Sequence, residues 1–316
     1  MKRQRGIALI TAIILVAIAA VLATAIGYSS AMAAKRASTV FGAAQALLAA
    51  EGAEAMAAYV LKQSSPAAGG TFSLDQPWAQ AYGPFELTDG VLLEFAQIED
   101  EHGKFNINDL AANGSTDTDK ALKVFQQLLS VVGLEQKWAG LIADWIDADN
   151  TPNTPDGAED SVYLSQTPQY RTANIPVTSI SELLALPGFG RARYDRIAPY
   201  ITALPPGTSI NVCVASGQLL DAISGKIEYS SDPDNLANQR KNNGCFPPQN
   251  VYLSTLTDQA KTMSSNLVGG GGTTADQYFR LRSFITIGTA RFTLYSLLYR
   301  DIGGNIRPIL RTFGTE

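Results

Sequence analysis

The chain has 316 residues and a formal net charge of −5, with 24 lysines and arginines against 29 aspartates and glutamates. That length allows a substantial hydrophobic core, in one large domain or in two intertwined ones. The acidic balance argues against a nucleic-acid partner, because phosphates require concentrated lysine and arginine.

A basic start, residues 1–5, precedes an apolar segment. In residues 7–26 every side chain is apolar or small except those of Thr11 and Thr24. About 20 such residues span a bilayer as a helix, and the basic start holds the amino terminus in the cytoplasm. A secretory signal with a cleavage site near residues 31–34 is the alternative, although its apolar core would be shorter.

The basic leader ends at Gly6, and helical character continues beyond the apolar segment to about Lys62. In this pattern the chain resembles the type IV pilins and pseudopilins, whose prepilin peptidase cuts after the glycine and methylates the new amino terminus. The resemblance implies cleavage after Gly6, methylation at Ile7 and retention of the hydrophobic helix. Mixed small and apolar spacing fits a helix that lies half in lipid and half against a domain.

Thr11 stands at the fifth position after the implied cut, where most pilins have glutamate. That carboxylate is thought to neutralise the amino terminus of a neighbouring subunit, since an unpaired charge in lipid costs several kcal/mol. A subunit with Thr there need not sit beneath another one. In lacking this glutamate, the chain resembles the K-type minor pseudopilins of type II secretion systems, which are placed at the filament tip. An ordinary single-pass anchor is the alternative.

Beyond a helix break at residues 64–70, the outer part is predicted to begin and end with strands. Alternation predicts a strand at 90–99 and an extended stretch at 104–108. Helical periodicity predicts helices at 121–132, 138–147, 179–186, 191–201, 218–223 and 253–267. Strands at 278–287, 290–301 and 306–313 form an antiparallel meander with turns at Gly288 and Gly303.

This order predicts an α+β chain in which a helical insert interrupts a sheet. The K-type pseudopilins that it resembles have a type IV pilin-like fold, a long N-terminal helix plus antiparallel sheet, with a large inserted all-α domain. The motifs that carry the resemblance are FNINDL at 105–110, DWIDAD at 144–149, GAED at 157–160 and SINV at 209–212. Cys213 replaces an asparagine expected next, a local variation.

The predicted division follows from that architecture. It is a leader at 1–6, a transmembrane part at 7–26, a pilin-like domain at 27–107 and 277–316, and a helical insert at 108–276.

Cys213 and Cys245 are the chain's two cysteines, and on this topology both lie outside the membrane, where oxidation is favoured. We expect one disulfide that closes a polar, Asn-rich loop and contributes about 3 kcal/mol. Two buried free thiols are the alternative, but such a loop lacks the apolar residues to bury them.

An acidic loop between two predicted helices carries the clearest chemical signal. Its oxygen-bearing side chains are those of Asp147, Asp149, Asn150, Asp156, Glu159 and Asp160. Five carboxylates on a short loop repel one another unless a hard cation takes up their charge. The opening Asp-Ala-Asp-Asn resembles calcium loops, although the later spacing is not an EF-hand, and the family resemblance also implies calcium. We predict a structural calcium site; a solvated loop with helix-capping aspartates is the alternative.

Two glycine-containing motifs favour structure over ligand binding. LPGFG at 186–190, followed by arginines at 191, 193 and 196, resembles a helix-hairpin-helix, whose amides often hold phosphates. Because the chain lacks an extended basic surface, we interpret this motif as a tight turn that packs two helices. The glycines at 269–272 are interpreted as a flexible joint.

Enzyme chemistry finds little support in the sequence. His102 is the single histidine, which excludes multi-His zinc sites, and it lies in an Asp/Glu-rich turn that we expect to be solvated. No Gly-x-Ser-x-Gly elbow surrounds any serine. We predict that the protein is not an enzyme.

Together with the resemblance, these features predict a minor pseudopilin that caps or initiates the tip of a type II secretion pseudopilus. Expected partners are other minor pseudopilins, the major pseudopilin filament below, the prepilin peptidase and the inner membrane, with the C-terminal domain in the periplasm. A type IV pilus minor pilin that acts as an adhesin or DNA receptor is the alternative. The predicted partner face contains Thr11, Ala43, Ala46, Leu47, Ala50 and Glu54, mostly small side chains that allow close helix approach.

Overall fold

The structure, a computed structural model, describes residues 5–66, 70–111, 116–153, 155–269, 276–288 and 290–314. The chain begins with helix α1 (Arg5–Gln63), which ends one residue beyond the predicted end. Alanine-rich composition favours this helix intrinsically. Its side chains at 8–41 are all exposed, and it is the one helix of the described residues that is long and apolar enough to cross a membrane.

Seven strands and eight further α-helices follow α1 in the described residues. The strands are β1 (Phe85–Thr88), β2 (Val91–Asp100), β3 (Phe105–Asn106), β4 (Ile201–Thr202), β5 (Gln277–Ile287), β6 (Ala290–Arg300) and β7 (Ile306–Phe313). The helices are α2 (Thr116–Val131), α3 (Trp138–Ile146), α4 (Asp160–Tyr163), α5 (Gly190–Ile197), α6 (Gly217–Ser224), α7 (Pro233–Asn243), α8 (Gln249–Thr255) and α9 (Asp258–Ser264). All eight lie between β3 and β5.

Five of the strands form one antiparallel sheet in the order β1-β2-β5-β6-β7. The predicted meander is present, with Ile287 opposite Ala290 at one turn and Arg300 opposite Ile306 at the next. Strand β2 pairs with β5, so that Asp100 lies opposite Phe279 although the whole helical block separates them in sequence. The predicted α+β, pilin-like fold with helices inserted into a sheet is confirmed.

One face of the sheet packs against the second half of α1. Ala50, Ala53, Ala57 and Leu61 of the helix share a hydrophobic core with inward residues of the strands. Those strand residues are Val91, Leu93, Ala96, Ile98, Phe279, Leu281, Ile285, Leu294 and Leu298. Alanines on the helix allow a close approach, and alternate strand positions supply the larger side chains.

A second core lies among the inserted helices. Phe105 and Phe125 stack in it with ring centroids 5.1 Å apart, and its buried members extend from Phe105 to Leu267 in the sequence. Strands β3 and β4 pair in parallel at its border with the sheet. The domain boundaries at 107/108 and 276/277 stay a prediction.

The two cores meet at a charged junction centred on Glu101, whose side chain is fully buried. Lys104 Nζ lies 2.8 Å from its carboxylate and Arg280 Nε lies 3.1 Å from it. Thr202 Oγ1 of β4 donates to the same carboxylate at 2.5 Å. Glu101 therefore joins the sheet to the helical core through three side chains.

The expectation that His102 is solvated is wrong, because only 3% of the residue is exposed. Its Nδ1 lies 2.8 Å from the carbonyl oxygen of Ser209, and its ring stacks on Tyr278 at 6.0 Å. The acidic neighbours that suggested solvent are themselves turned inward: Asp100 accepts from the backbone amide of His102 at 2.9 Å.

Several predicted elements differ in detail. The helix predicted at 253–267 is two helices, because Thr257 caps α9 by accepting from the amide of Ala260. The segment at 179–186 is a 3-10 helix (Ile180–Ala185) with a capping box from Ser179 and Glu182. Helix α7 was not predicted. Residues 270–272 of the glycine run and residues 1–4 of the leader lie outside the described residues.

Candidate functional site

The acidic loop begins where α3 ends. Helix α3 stops at Ile146, and Asp147 follows in an extended conformation. Oxygen atoms of Asp147, Asp149 and Glu159 all lie within 4.8 Å of one another. The structure therefore brings together three of the six side chains predicted to bind calcium, from the two ends of one loop.

Glu159 is the most constrained of these three carboxylates. Only 4% of the residue is exposed, and neither of its carboxylate oxygens has a hydrogen-bond partner among the described residues. Burial, together with the negative charges of Asp144, Asp147 and Asp149, raises the pKa of Glu159 to about 7. A carboxylate buried without a donor is costly, so this position favours either a proton or a cation.

Asp147 shares this environment. Burial and the neighbouring Asp149 and Asp144 raise the pKa of Asp147 to about 6, and its Oδ1 is buried with no hydrogen-bond partner in the part of the chain that the structure describes. Converging carboxylate oxygens with unused lone pairs are the donor set that calcium prefers. The residues present thus fit a hard divalent cation.

The other three predicted ligands lie apart from this group. Asp160 accepts from the Thr172 amide at 3.2 Å and pairs with Arg171 at 3.1 Å. Asn150 Oδ1 accepts from the Asn174 side chain at 3.1 Å, and Asp156 is exposed. None of the three joins the converging oxygens.

Asp144 and Asn174 complete the surroundings of the loop, and neither was predicted to belong to the site. Asp144 is fully buried and accepts from the backbone amide of Asn153 at 3.1 Å, which folds the loop back onto α3. A Cβ at Gly157 would overlap the Asp144 carboxylate, so only glycine permits this closure. Asp144 belongs to the DWIDAD motif and could have been found there, whereas Asn174 lies in a separate loop and gives no signal.

Half of the predicted partner face on α1 is buried within the chain itself. Ala46, Ala50 and Glu54 are buried, with 4%, 2% and 4% of each residue exposed, and Ala50 belongs to the core shared with the sheet. These three residues are therefore not available on the surface of the free chain, and the role of the partner face as a whole stays a prediction. Thr11, Ala43 and Leu47 remain exposed.

Glu54 instead attaches α1 to the edge of the sheet. Arg311 of β7 donates to it from Nη2 at 2.6 Å and from Nε at 2.8 Å. The Ser296 hydroxyl of β6 donates to the same carboxylate. A bidentate arginine pair is both strong and directional, so this contact fixes the angle of the helix on the sheet.

The expected disulfide is confirmed: Cys213 and Cys245 are bonded, with their Cα atoms 4.4 Å apart. The bond does not close a plain loop, because helix α7 lies inside it.

The hairpin at 186–190 uses its arginines within the chain. Arg193 donates to the carbonyl oxygens of Gly188 and Phe189 at 2.9 and 3.1 Å, and Arg196 donates to that of Gly133 at 3.2 Å. Arg191 pairs with Asp195 at 2.7 Å. These contacts support the interpretation of the hairpin as a packing turn.

Known proteins share this architecture. A family model described as type II secretion system (T2SS), protein K, matches residues 103–206. A chain from the crystal structure of the GspK-GspI-GspJ complex of the enterotoxigenic Escherichia coli type 2 secretion system superposes with a TM-score of 0.75 at 24% identity. That match covers 89% of this chain and 100% of the other.

Relatives named type II secretion system protein K match along the whole length. The one from Pseudomonas aeruginosa is 32% identical over 99% of this chain and 94% of its own. The one from Pectobacterium carotovorum is 29% identical over 99% of this chain and 97% of its own. The chain therefore belongs to the type II secretion system protein K family, a family of minor pseudopilins and not of enzymes.

Proposed function

We propose that this protein occupies the tip of the pseudopilus, where it caps or initiates the filament together with other minor pseudopilins and so supports the export of folded proteins. The proposal rests on the contrast between a narrow amino-terminal helix and a large head at the other end of the molecule. A single exposed helix at residues 8–41 bears a head with two hydrophobic cores.

Helical filaments repeat a subunit only if its head fits between neighbours. The inserted helices add a second core beside the pilin-like sheet, and we propose that the resulting head is too wide for a tight helical repeat. Thr11 at the fifth position removes the carboxylate that would pair with a subunit above. The relative of known structure was solved in a complex with two further Gsp proteins, which supports other minor pseudopilins as partners of this chain.

The remaining steps follow from the same family. We propose that the prepilin peptidase cuts after Gly6 and methylates Ile7, that α1 anchors the chain in the inner membrane, and that the head lies in the periplasm above the major pseudopilin filament. The mass of the amino-terminal peptide of the mature protein tests the cut. An unprocessed Met1 or a cut near residues 31–34 would contradict it.

Assembly is tested with the full-length chain in detergent. Coexpressed with the smaller minor pseudopilins of its own system, the tagged chain should copurify with them at a fixed ratio. Ala43→Leu, which adds bulk to an exposed helix position, should reduce the recovered partner at least fivefold. Ala55→Leu, also exposed and about a third of a turn around the helix, is the matched control and should leave recovery unchanged.

The tip position makes a separate quantitative prediction. In reconstituted or shed pseudopili, the amount of this protein per filament should stay constant while filament length varies. A content that grows in proportion to length would place the chain along the shaft and end the capping proposal, while leaving family membership intact.

We further propose that a calcium ion is held at the acidic loop. Asp147, Asp149 and Glu159 would hold the ion, and it would supply the positive charge that keeps their converging oxygens together. The support is the pair of unpartnered Glu159 oxygens inside this carboxylate group. Asn150, Asp156 and Asp160 would enter the coordination only if the loop rearranged.

A further inference from the structure

Arg240 lies buried inside the segment that the disulfide closes. It belongs to the last turn of α7, and 5% of the residue is exposed. Its Nε donates to the carbonyl oxygen of Phe246 at 2.8 Å. Its Nη2 donates to the carbonyl oxygens of Val212 at 3.0 Å and Ala215 at 2.6 Å.

These carbonyls flank both cysteines. Val212 immediately precedes Cys213, and Phe246 immediately follows Cys245. The guanidinium therefore joins the same two chain segments that the sulfur–sulfur bond joins across 32 residues. The two links are chemically independent, because the hydrogen bonds need no oxidation.

Because Arg240 is charged and buried, its hydrogen bonds form only when both cysteine segments are in place. Among the ion pairs of the described residues, none includes Arg240. Burial lowers the pKa of Arg240 to about 10, so it remains protonated at neutral pH. A buried cation is tolerated only when its donors are satisfied, and here that requires carbonyls from both cysteine segments at once.

The two cysteines are held in different ways. Asn211 Oδ1 accepts from the Cys213 amide at 3.1 Å, while Asn211 Nδ2 donates to Asp100 Oδ2 and to the Phe72 carbonyl oxygen, each at 3.0 Å. The Cys213 segment is thus attached to the sheet without help from α7. For the Cys245 segment, the bond from Arg240 to Phe246 supplies the corresponding attachment.

We propose that Arg240 is a positioning residue for the Cys213–Cys245 disulfide. Its hydrogen bonds hold the two thiols close together before they are oxidised. In exchange with glutathione disulfide, the thiolate of one cysteine attacks a glutathione sulfur and releases one glutathione thiolate. The second cysteine thiolate then attacks the mixed disulfide, forms the protein bond and releases the second glutathione. Two thiols are oxidised, one glutathione disulfide is reduced, and the two protons end on the glutathione thiols.

The second, intramolecular attack depends on how closely the two sulfurs are held. Positioning raises the effective concentration of one thiol at the other, and that quantity is measurable. We therefore test the full-length chain in detergent at equilibrium with reduced and oxidised glutathione at pH 8. Alkylation and gel shift give the reduced fraction.

Arg240→Gln should lower the effective concentration of the two thiols at least about tenfold, because the guanidinium that bonds the carbonyl oxygens of both cysteine segments is lost. Arg193→Gln is the matched control: it also removes an arginine that donates to two carbonyl oxygens, but away from the cysteines. That variant should change the glutathione equilibrium less than twofold. An unchanged equilibrium in folded Arg240→Gln would overturn the proposal.

Arg240→Lys keeps the positive charge but not the planar fork. It keeps the proposal testable if the glutamine variant does not fold, which circular dichroism would show. In the lysine variant, the effective concentration of the two thiols should also be at least about threefold lower than in the wild type. Full recovery by lysine would mean that charge, and not the geometry of the fork, controls the pairing, and would refute the positioning role.

Discussion

Single residues determine how charge is handled inside this protein, and Glu101 is the clearest case. Burial alone would raise the pKa of Glu101, but Lys104, Arg280 and the hydrogen bonds from Lys104 and Thr202 outweigh it and lower the pKa to about 2. The ion pairs therefore stabilise the fold above the unfolded-state value of 4.5. This stabilisation is lost as the pH falls from there toward about 2.

Glu101→Gln is expected to reduce the free energy of unfolding by about 3 kcal/mol at pH 7, because Lys104 and Arg280 lose their shared carboxylate. Urea unfolding at several pH values measures it. The difference between the variant and the wild type should shrink as the pH falls from 4.5 toward about 2, because the unfolded wild-type chain takes up a proton there while the folded carboxylate stays charged. Glu99→Gln, half-exposed beside Lys104, serves as control and should cost less than about 1 kcal/mol; a pH-independent difference would argue against the charge pair.

Glu159→Gln tests the calcium proposal through stability. After dialysis against EDTA, the variant should be at least as stable as the wild type, since one repelling carboxylate is gone. Added calcium at about 100 times its dissociation constant should stabilise the wild type by about 2–3 kcal/mol and the variant far less. Thermal unfolding with and without calcium provides the measurement.

Asp156→Asn is the matched variant for this measurement, because Asp156 is exposed and lies outside the three converging carboxylates. It should keep most of the calcium response. Equal responses of wild type and Glu159→Gln would leave the loop without a calcium role.

The buried state of His102 shows what sequence patterns miss at this scale. Acidic neighbours normally indicate a solvated turn, but here Glu101 finds partners on β5 and β4 and Asp100 finds one in Asn211, all distant in sequence. Likewise, the six acidic-loop residues were chosen by composition, whereas the fold decides which oxygens converge. Pairing across long sequence separations carries no local signal.

Among the elements, α1 relies on its contact with the edge strand β7. Arg311 reaches the buried Glu54 with two nitrogen donors, and Ser296 donates to the same carboxylate. Apart from Leu61, the buried residues that the helix contributes to the shared core are alanines, whose small side chains bury little area each. One charged contact therefore carries much of the specificity of this packing.

Arg311→Ala should lower the free energy of unfolding of the head by about 2 kcal/mol, because it leaves the Glu54 carboxylate buried with only the hydroxyl of Ser296. Arg311 is itself partly exposed, which keeps the loss below that of a fully buried pair. Denaturant unfolding followed by circular dichroism measures it. Glu51→Gln removes the longer 3.9 Å pair to the same arginine and should cost less than about 0.5 kcal/mol; equal losses would contradict the role given to Glu54.

Long, strongly periodic elements were predictable from the sequence. The alternation in β2, β5 and β6 and the helical spacing in α2 and α3 report the face that each buries. Helix α7 was missed because it is polar on nearly all sides, with Leu236 and Arg240 as its buried residues. Its stability comes from Pro233, the Asp232 cap and the disulfide, which hydrophobic periodicity does not record.

At the scale of the whole molecule, the sequence order strand, helices, strands was enough to predict an insertion into a sheet. It was not enough to show how the two parts meet, because the junction consists of polar side chains whose partners lie far apart in sequence. Three residues of the predicted partner face are buried within the chain for a related reason. Small residues indicate close packing but do not tell whether the neighbour is another chain or the same one.

The order of folding can be predicted from the sheet. During refolding from urea, amides of the helical core should gain protection from hydrogen exchange before those of β2 and β5. Pulse labelling with mass spectrometry measures both. Protection of β2 before α2 and α3 would contradict this order.

The reason lies in the pairing of β2 with β5, which brings Asp100 opposite Phe279. During synthesis and translocation, β2 emerges long before β5. Until β5 arrives, the edge of β2 that will pair with it has no hydrogen-bond partner. Collapse of the intervening helices shortens the tether between the two strands and lowers the entropy lost in closing it. On this order of folding, we expect the insert to act as an internal scaffold, and a substitution that delays its collapse to leave the unpaired edge of β2 open to aggregation.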